Sequence, residues 1–335
     1  MSRPLHEAAF DQLQRATVSV AARYPSARRA MARAGRGLSE AAARGGALAE
    51  ARSSGVGHLY QGSYFGEGRD PSGDRAGRSG YARYDRIASN ADIAGWLLWR
   101  NFRVRNSLDV GCATGYLVEV LRELGVDADG CDVSAYAVDH PAPGAAGHLR
   151  VAGLLSGLPW PDGRFELVTA LETLEHLPPD RVHAAIGELR RVCSAYVYAT
   201  IPSFGGNVSG PDGHFEGKVR PERVAEYIAR GADYTGPVPE ADLARDADGR
   251  PVEGHLTIAS FGWWTERFAE AGLTRCPDVE QRLYADIEPA DLAPFWNLYV
   301  FRVPGAPDGI CEPRQPDRTL AELGLRHPLL EAASA

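Results

Sequence analysis

Short apolar runs alternate with amphipathic stretches in the middle of the chain. The run from Asn106 to Val110 is typical of a buried parallel strand. Apolar residues then recur at helical spacing from Tyr116 to Leu124, and Gly125 is a C-cap signal that ends this helix. The chain returns as a second strand from Val126 to Cys131. This strand–helix–strand order predicts an α/β fold with a doubly wound, mostly parallel sheet.

The same alternation continues towards the C-terminus. Phe165–Leu171 and Ser194–Ile201 are predicted as the fourth and fifth strands. The segment from Pro178 to Val192 is predicted as the helix between them, since proline is tolerated in a first helical turn. Phe261–Gly272 is predicted as the last helix and Asn297–Val303 as a closing strand.

A glycine turn joins the first strand to its helix. Gly111 and Gly115 permit positive φ and close approach of a ligand, and their spacing is G-x-x-x-G. Enzymes that bind a dinucleotide use G-x-G-x-x-G, because a pyrophosphate lies against the helix N-terminus. Asp109, beside the turn, would repel a pyrophosphate and suits a ligand with an ammonium group. Asp132 ends the second strand, where open α/β sheets bind ligands.

The stretch Leu108–Gly115 resembles motif I of the class I S-adenosylmethionine (SAM)-dependent methyltransferases. Asp132 resembles the acidic residue with which that family accepts hydrogen bonds from the two ribose hydroxyls. Gly157–Leu177 resembles the fourth-strand region of small-molecule methyltransferases related to ubiquinone-biosynthesis enzymes, the methyltransferase-11-like type. The resemblance covers about residues 80–305. It implies a Rossmann-like, seven-stranded sheet with an antiparallel last strand, and SAM as the cofactor.

The resemblance also implies which residues contact SAM. Tyr81 and Arg83 lie in a segment that in many relatives closes over SAM and contacts its carboxylate. The predicted cofactor-binding residues are Tyr81, Arg83, Asp109, Gly111, Cys112, Gly115, Asp132, Val133, Leu155 and Leu171. Gly153–Gly157 departs from the family, which often has an Asp there for the adenine amino group. Ser156 or main-chain carbonyls are the candidates for that contact.

Three histidines are candidates for chemistry on the acceptor. His176 follows the fourth strand, near the expected methyl position, and is predicted as general base, with packing or helix capping as the alternative. His214 is a second candidate base, and His255 is assigned to substrate positioning or to structure. The predicted acceptor-binding residues are Glu172, Phe204, His255 and Trp264. No metal motif is present, so no metal is predicted; Mg²⁺ held by His214 and acidic residues near it is the alternative.

Composition narrows the classes of partner. The 335 residues carry a net charge of -8, which disfavours nucleic acid. No apolar run reaches membrane-spanning length, so we expect no membrane partner and a cytoplasmic location. The five cysteines show no metal or disulfide spacing, as expected for reduced thiols.

Three regions are predicted. Residues 1–80 form an N-terminal helical extension and a mobile loop. Residues 81–305 form the methyltransferase domain, with a substrate-side insertion at 205–254, and residues 306–335 form a C-terminal tail. The N-terminal helices are a candidate surface for a homodimer.

The combined expectation is methyl transfer from SAM to a small-molecule acceptor in secondary metabolism such as antibiotic biosynthesis. O-methylation is the first choice and N-methylation the second. Two rival classes stay open. A nicotinamide-dependent oxidoreductase is opposed by the glycine spacing and Asp109. A non-catalytic SAM-binding module, docking a partner through its basic N-terminal region, is opposed by the loops at the strand ends.

Overall fold

The computed structural model describes most of the predicted domain and part of the N-terminal extension. It covers residues 37, 39–51, 60–66, 81, 83–205, 215, 217–230, 236–247, 249–287, 297–314 and 318–325. His214, a candidate base, lies outside the described residues. Within these ranges, no helix has the length and apolar character that crossing a membrane requires. The cytoplasmic location and the homodimer remain predictions.

Seven of the nine strands in the described residues form one sheet. The strands are β1 (Asn106–Val110), β2 (Asp127–Asp132), β3 (Leu149–Val151), β4 (Phe165–Leu171), β5 (Cys193–Thr200), β6 (Ser203–Phe204), β7 (Ala259–Ser260), β8 (Thr274–Arg275) and β9 (Leu298–Arg302). The large sheet has the order β3-β2-β1-β4-β5-β9-β8. β3 to β5 are parallel, and β9 runs antiparallel between β5 and β8. The predicted doubly wound, mostly parallel sheet is confirmed.

Helices cover both faces of this sheet. They are α1 (residues 39–51), α2 (Ala91–Asn101), α3 (Tyr116–Glu123), α4 (Ala135–Asp139), α5 (Val182–Val192), α6 (Pro221–Arg230), α7 (Phe261–Glu270) and α8 (Pro277–Ile287). One apolar cluster joins α2, α3 and α8 to the sheet, and a second joins α5 and α7 to the opposite face. Val197 and Tyr198, successive residues of β5, belong to different clusters because strand side chains alternate between faces. The carboxyl ends of the parallel strands meet at one edge, where the site lies.

The C-terminal part contains one more helix than the sequence analysis predicts. The segment expected to be the last helix corresponds to α7, and α8 follows it after a short strand. The sequence of α8 is mostly polar, and its buried apolar residues are Leu283, Tyr284 and Ile287. So narrow a stripe gives little helical periodicity for sequence analysis to detect.

The insertion has its own small apolar cluster. β6 and β7 pair in parallel as a two-stranded sheet at its base. The cluster consists of Phe204, Phe215, Val219, Tyr227, Val238, Leu243 and Ile258. The insertion is therefore a packed unit beside the sheet edge.

Glu280 attaches α8 to the sheet. Its fully buried carboxylate accepts hydrogen bonds from Arg275 Nε and Nη2, at 3.0 and 2.7 Å, and from the main-chain N–H of Val300 at 3.0 Å. One carboxylate thus connects the helix with both β8 and β9.

We expect Glu280→Ala to lower the free energy of unfolding by about 3 kcal/mol, because it leaves a partly buried guanidinium and a buried N–H without their acceptor. Urea denaturation of the variant and the wild type measures this loss. Glu222→Ala is the control, since it removes an exposed carboxylate that pairs with Arg220, and it should leave stability unchanged. Equal stability of the two variants would contradict the role of Glu280.

Candidate cofactor and acceptor site

The turn after β1 is fastened to the end of β2. The main-chain N–H groups of Gly111 and Cys112 both donate to the carbonyl of Cys131, at 2.8 and 3.1 Å. Gly111 has φ 77°, and a Cβ there would lie 2.3 Å from Thr173 Oγ1. Gly115 has φ 84°, and a Cβ there would lie 2.8 Å from a side chain of β3. Both glycines are therefore required by backbone conformation and by close protein packing.

Asp132 is oriented by this turn. Its Oδ2 accepts a hydrogen bond from the main-chain N–H of Ala113 at 2.9 Å, and its Oδ1 accepts one from that of Ser134 at 2.7 Å. Burial raises the pKa of Asp132, and these main-chain donors oppose that rise. The carboxylate thus lines a cavity in a fixed orientation, as its predicted ribose-binding role requires.

Asp109 lies behind the turn. Thr169 Oγ1 donates a hydrogen bond to Asp109 Oδ1 at 2.7 Å, and only 5% of Asp109 is exposed. Burial raises its pKa to about 7, and the negative charge of Asp132 adds to the rise. Asp109 does not line the cavity, so it acts on a ligand through its charge and through the turn.

A cavity of about 960 Å³, including its open mouth, lies at the carboxyl ends of the strands. Among the predicted cofactor residues, it is lined by Tyr81, Gly111, Asp132, Val133 and Leu171. Among the residues predicted to act on the acceptor, it is lined by Glu172 and His176. These seven residues lie at or just after the ends of β1, β2 and β4, and in the segment before α2. The fold brings them together.

Five aromatic rings from the N-terminal side cover this cavity; we call them the aromatic roof. They are Tyr60, Tyr64, Phe65, Tyr81 and Tyr84. Neighbouring rings meet edge to face, with centroids 5.1 Å apart for Tyr60 and Tyr64 and 4.6 Å apart for Tyr81 and Tyr84. Burial raises the pKa of Tyr60, Tyr64 and Tyr84, so their hydroxyls stay protonated. The roof is a neutral, largely apolar surface.

Arg83 is not part of the cavity wall, contrary to the prediction. Its side chain is 76% exposed, and its Nε lies 3.0 Å from Asp85 Oδ2. Tyr81 and Tyr84 turn inwards to join the roof, which leaves the arginine between them on the outside. The structure therefore gives no support for a contact between Arg83 and the cofactor carboxylate.

Several other predicted residues lie behind the wall of the cavity. Cys112 and Trp264 are buried in the apolar clusters on opposite faces of the sheet. Phe204 is fully buried in the cluster of the insertion, and Leu155 packs against the cluster that contains α5. Gly115 caps α3. These residues shape the site through packing, and the structure shows none of them lining the cavity.

His176 lies in a short 3₁₀ turn, Leu174–His176, just after β4. Its Nδ1 is 2.9 Å from Tyr60 Oη and 3.1 Å from the carbonyl oxygen of Gly254. A carbonyl only accepts, so we assign the ring proton to Nδ1 and the lone pair to Nε2. Burial lowers the pKa of His176 to about 4, so the ring is neutral at pH 7.

Two carboxyl groups lie near His176. Glu172 directly follows β4 and has φ 48°, a left-handed conformation that is uncommon outside glycine and often marks functional sites. Glu175 is fully buried. Burial raises the pKa of both groups, and repulsion from Glu172 raises that of Glu175 further. The pKa of Glu172 is thus raised to about 7, and that of Glu175 is raised well above its ordinary value.

Glu175, His176 and His255 offer donor atoms that lie within 4.8 Å of one another. The rings of His176 and His255 meet edge to face, with centroids 4.8 Å apart, and His255 Nε2 is 3.9 Å from Glu175 Oε1. Imidazole and carboxylate are donors that zinc and related ions accept. These three are the residues of the described chain that could hold a metal, and the absence of a metal remains a prediction. His255 lies behind the cavity wall.

Sequence analysis did not predict that Glu50 lines the cavity, nor that Tyr60, in a segment expected to close over SAM, contacts His176. Glu50 of α1 reaches the loop after β3, and Tyr60 of the roof reaches His176. Both come from the N-terminal extension, more than 100 residues before the partners they contact. A local motif carries no signal for such contacts.

Residues 108–197 match the family described as "Methyltransferase domain". A ubiquinone biosynthesis O-methyltransferase of Methylococcus capsulatus is 35% identical over 107 residues, which are 29% of this chain and 44% of that relative. The chain therefore matches less than half the length of this curated relative.

Two solved structures show similar chains. The YcgJ protein from a Bacillus species is 14% identical, with a TM-score of 0.38, 64% of this chain covered and 94% of that chain. PigF with SAH is 17% identical, with a TM-score of 0.40, 65% of this chain covered and 56% of that chain.

The buried acids predict how stability depends on pH. Asp109, Glu172 and Glu175 have folded-state pKa values above their unfolded values, so the folded protein holds more protons. We expect the free energy of unfolding of the ligand-free protein to fall as pH rises from about 5 to 8. The loss is about 1.4 kcal/mol per pH unit for each group, between its unfolded and its folded pKa.

Urea denaturation at several pH values tests this dependence. Glu175→Gln should make the slope shallower by the share of that one group, because the variant has no proton to lose at that position while Asp109 and Glu172 still titrate. Glu240→Gln, at a side chain that is 83% exposed, should leave the slope as in the wild type. A wild-type slope in Glu175→Gln would show that Glu175 does not titrate as described.

Proposed function

Because this chain belongs to the class I SAM-dependent methyltransferases, whose cofactor is SAM, we propose that it transfers a methyl group to a small-molecule acceptor. We propose O-methylation, in secondary metabolism. Two groups of observations support this: a cavity that suits an adenosine-containing cofactor, and a carboxylate suited to remove a proton from an acceptor.

The cavity suits SAM in shape and in charge. Asp132 presents its carboxylate at the end of β2, where a ribose with two hydroxyls can donate to it. Asp109 lies behind the turn as a second acid, which favours a cationic ligand over a pyrophosphate. This charge pattern and the glycine spacing oppose a nicotinamide cofactor.

The proposal that the acceptor atom is an oxygen rests on the raised pKa of Glu172. SAM supplies an electrophilic methyl group when bound, so the protein has to align the acceptor and, for a hydroxyl, accept its proton. A general base works best when its pKa is near the working pH, and burial brings that of Glu172 to about 7. Glu172 lines the cavity, and its main-chain N–H donates to the carbonyl of Thr200 at 2.9 Å, which fixes its position.

His176 suits this role less well. With a pKa of about 4 it retains a proton poorly at neutral pH. His176 contacts Tyr60 and Gly254, and its proposed role is to orient the acceptor and the aromatic roof. His176 therefore becomes a positioning residue and Glu172 the proposed base.

N-methylation is the second candidate. Glu172, Glu175 and Glu253 place three carboxyl groups near one end of the cavity, with Lys218 paired to Glu253. When ionised, Glu172 attracts an ammonium acceptor, which needs a base only to remove its proton before transfer. A non-catalytic SAM-binding module has no comparable use for the strained backbone and raised pKa of Glu172.

The first test concerns the cofactor. Asp132→Ala should weaken SAM binding by roughly 10²–10⁴-fold, because two hydrogen bonds to a charged acceptor are lost. Isothermal titration calorimetry measures the affinity. Asp127→Ala, at the exposed start of β2, is the control and should bind SAM as the wild type does. Wild-type affinity in Asp132→Ala would remove the ribose assignment.

The second test concerns the base. With an oxygen acceptor, kcat of the wild type should rise with pH through about 7 and level off above it, as Glu172 loses its proton. Glu172→Gln should lower kcat by about 10²–10⁴-fold, remove this dependence and leave the Kd for SAM unchanged. His176→Ala should keep the dependence near pH 7. A pH limb that persists in Glu172→Gln and disappears in His176→Ala would instead identify the histidine as the base.

A further inference from the structure

Helix α1 is seated closely against the loop after β3. Glu50, at the end of this helix, is 8% exposed, and its Oε2 accepts hydrogen bonds from the main-chain N–H groups of Leu155 at 3.1 Å and Ser156 at 3.0 Å. A Cβ at Gly153 would lie 2.1 Å from Glu50 Oε2, so glycine is what allows the carboxylate to approach. The contact is therefore a specific, buried junction between the extension and the domain.

Glu50 lines the cavity at a defined end. The cavity is lined by Glu50, Ala152, Gly153 and Leu154, and also by Asp132. In the sheet, β3 lies beside β2 on the side away from β1 and β4. Glu172 and His176, which follow β4, therefore lie towards the opposite end from Glu50.

The sheet order fixes how a nucleoside must lie across it. A ribose held at Asp132 has its two substituents directed towards opposite ends of the cavity. The reacting group must point towards β4, where Glu172 stands in the proposed reaction. The base must then point towards β3, and its outer edge meets Glu50.

We propose that Glu50, supplied by the N-terminal extension, accepts a hydrogen bond from the 6-amino group of the cofactor's adenine and selects for that base. The inference rests on the proposed SAM-dependent function. Burial raises the pKa of Glu50, and the main-chain donors of Leu155 and Ser156 oppose this rise. An ionised carboxylate only accepts hydrogen bonds, which is the complement that an amine requires. An amine is thus favoured, and a purine with an acceptor at that position is repelled.

The N-terminal extension supplies the carboxylate at the proposed adenine position. The segment Gly153–Gly157 has no carboxylate of its own, and Glu50 brings one to that loop from more than 100 residues away. Helix α1 is then part of the cofactor site, and the boundary at residue 80 does not separate the catalytic unit from an appendage.

The experiment compares two ligands that differ in one group: S-adenosylhomocysteine and its analogue with hydrogen in place of the 6-amino group. Calorimetry gives the ratio of their Kd values for each full-length protein. The wild type should prefer the amine by about 10- to 100-fold, as for a hydrogen bond to a charged group. Glu50→Gln, which keeps an acceptor oxygen, should prefer it by a few-fold, and Glu50→Ala should bind both equally.

Two further variants complete the design. Gly153→Ala should also lower the ratio, because the new Cβ displaces the Glu50 carboxylate. Glu40→Gln is the matched control on the same helix; its carboxylate pairs with Arg150 at 3.6 Å, away from the cavity, and the ratio should stay as in the wild type. A ratio within one protein is insensitive to a general loss of affinity or stability, so a purely structural Glu50 leaves it unchanged.

The outcomes distinguish the role of Glu50 in adenine binding from the proposed SAM-dependent function. A graded fall of the ratio from wild type through Glu50→Gln to Glu50→Ala supports the inference. An unchanged ratio in Glu50→Ala, with tight binding of S-adenosylhomocysteine, overturns it and leaves the proposed function standing. If the wild type binds neither ligand, the SAM assignment fails, and the role of Glu50 fails with it.

Discussion

The site depends on one shared hydrogen-bond acceptor. The carbonyl of Cys131 receives the main-chain N–H groups of both Gly111 and Cys112, and so ties the turn after β1 to the end of β2. The next main-chain N–H group, that of Ala113, then donates to Asp132, so the same turn positions the carboxylate. A Cβ at Gly111 would collide with Thr173, which follows β4. The ends of three strands are therefore one rigid unit, and small displacements at any of them move the ligand-binding groups.

This rigid edge of the sheet holds several carboxyl groups in buried positions, which are unfavourable for the stability of the fold. Burying a carboxyl group costs stability, and Asp109, Glu172 and Glu175 are all held with raised pKa values at one edge of the sheet. The left-handed backbone of Glu172 adds a further cost of about 1–3 kcal/mol. Such costs are typical of sites in which chemistry determines the residue. The apolar clusters on both faces of the sheet supply the stability that offsets them.

Whether a feature could be predicted depends on how far apart in the sequence the residues that determine it lie. β1, the glycine turn, α3 and Asp132 could be predicted because periodicity, glycine spacing and strand ends are local properties. Glu172 and His176 could be predicted because they directly follow a strong strand. The outward direction of Arg83 could not be predicted, because a sequence shows a charge and not the direction in which its side chain points.

Other features had no local signal at all. Helix α8 has only a narrow apolar stripe, and the carboxylate of Glu280 adds a polar attachment to the sheet. The proposed role of Glu50 depends on where α1 docks, and its neighbours in sequence, Ala49 and Ala51, carry no functional signal. Raised and lowered pKa values are likewise invisible, since the same residue types are ordinary when exposed.

The N-terminal extension acts at both ends of the cavity. At one end Glu50 is fastened to the loop after β3. At the other, Tyr60 Oη lies 2.9 Å from His176 Nδ1, while the Tyr60 carbonyl accepts a hydrogen bond from Ser134 Oγ at 2.6 Å, next to Asp132. The aromatic roof therefore spans from the end of β2 to the end of β4. Because the same extension contacts the loop after β3, Ser134 next to Asp132, and His176, its proposed roles in enclosing the cofactor and in aligning the acceptor are linked. A change in how the extension docks must then affect binding and turnover together.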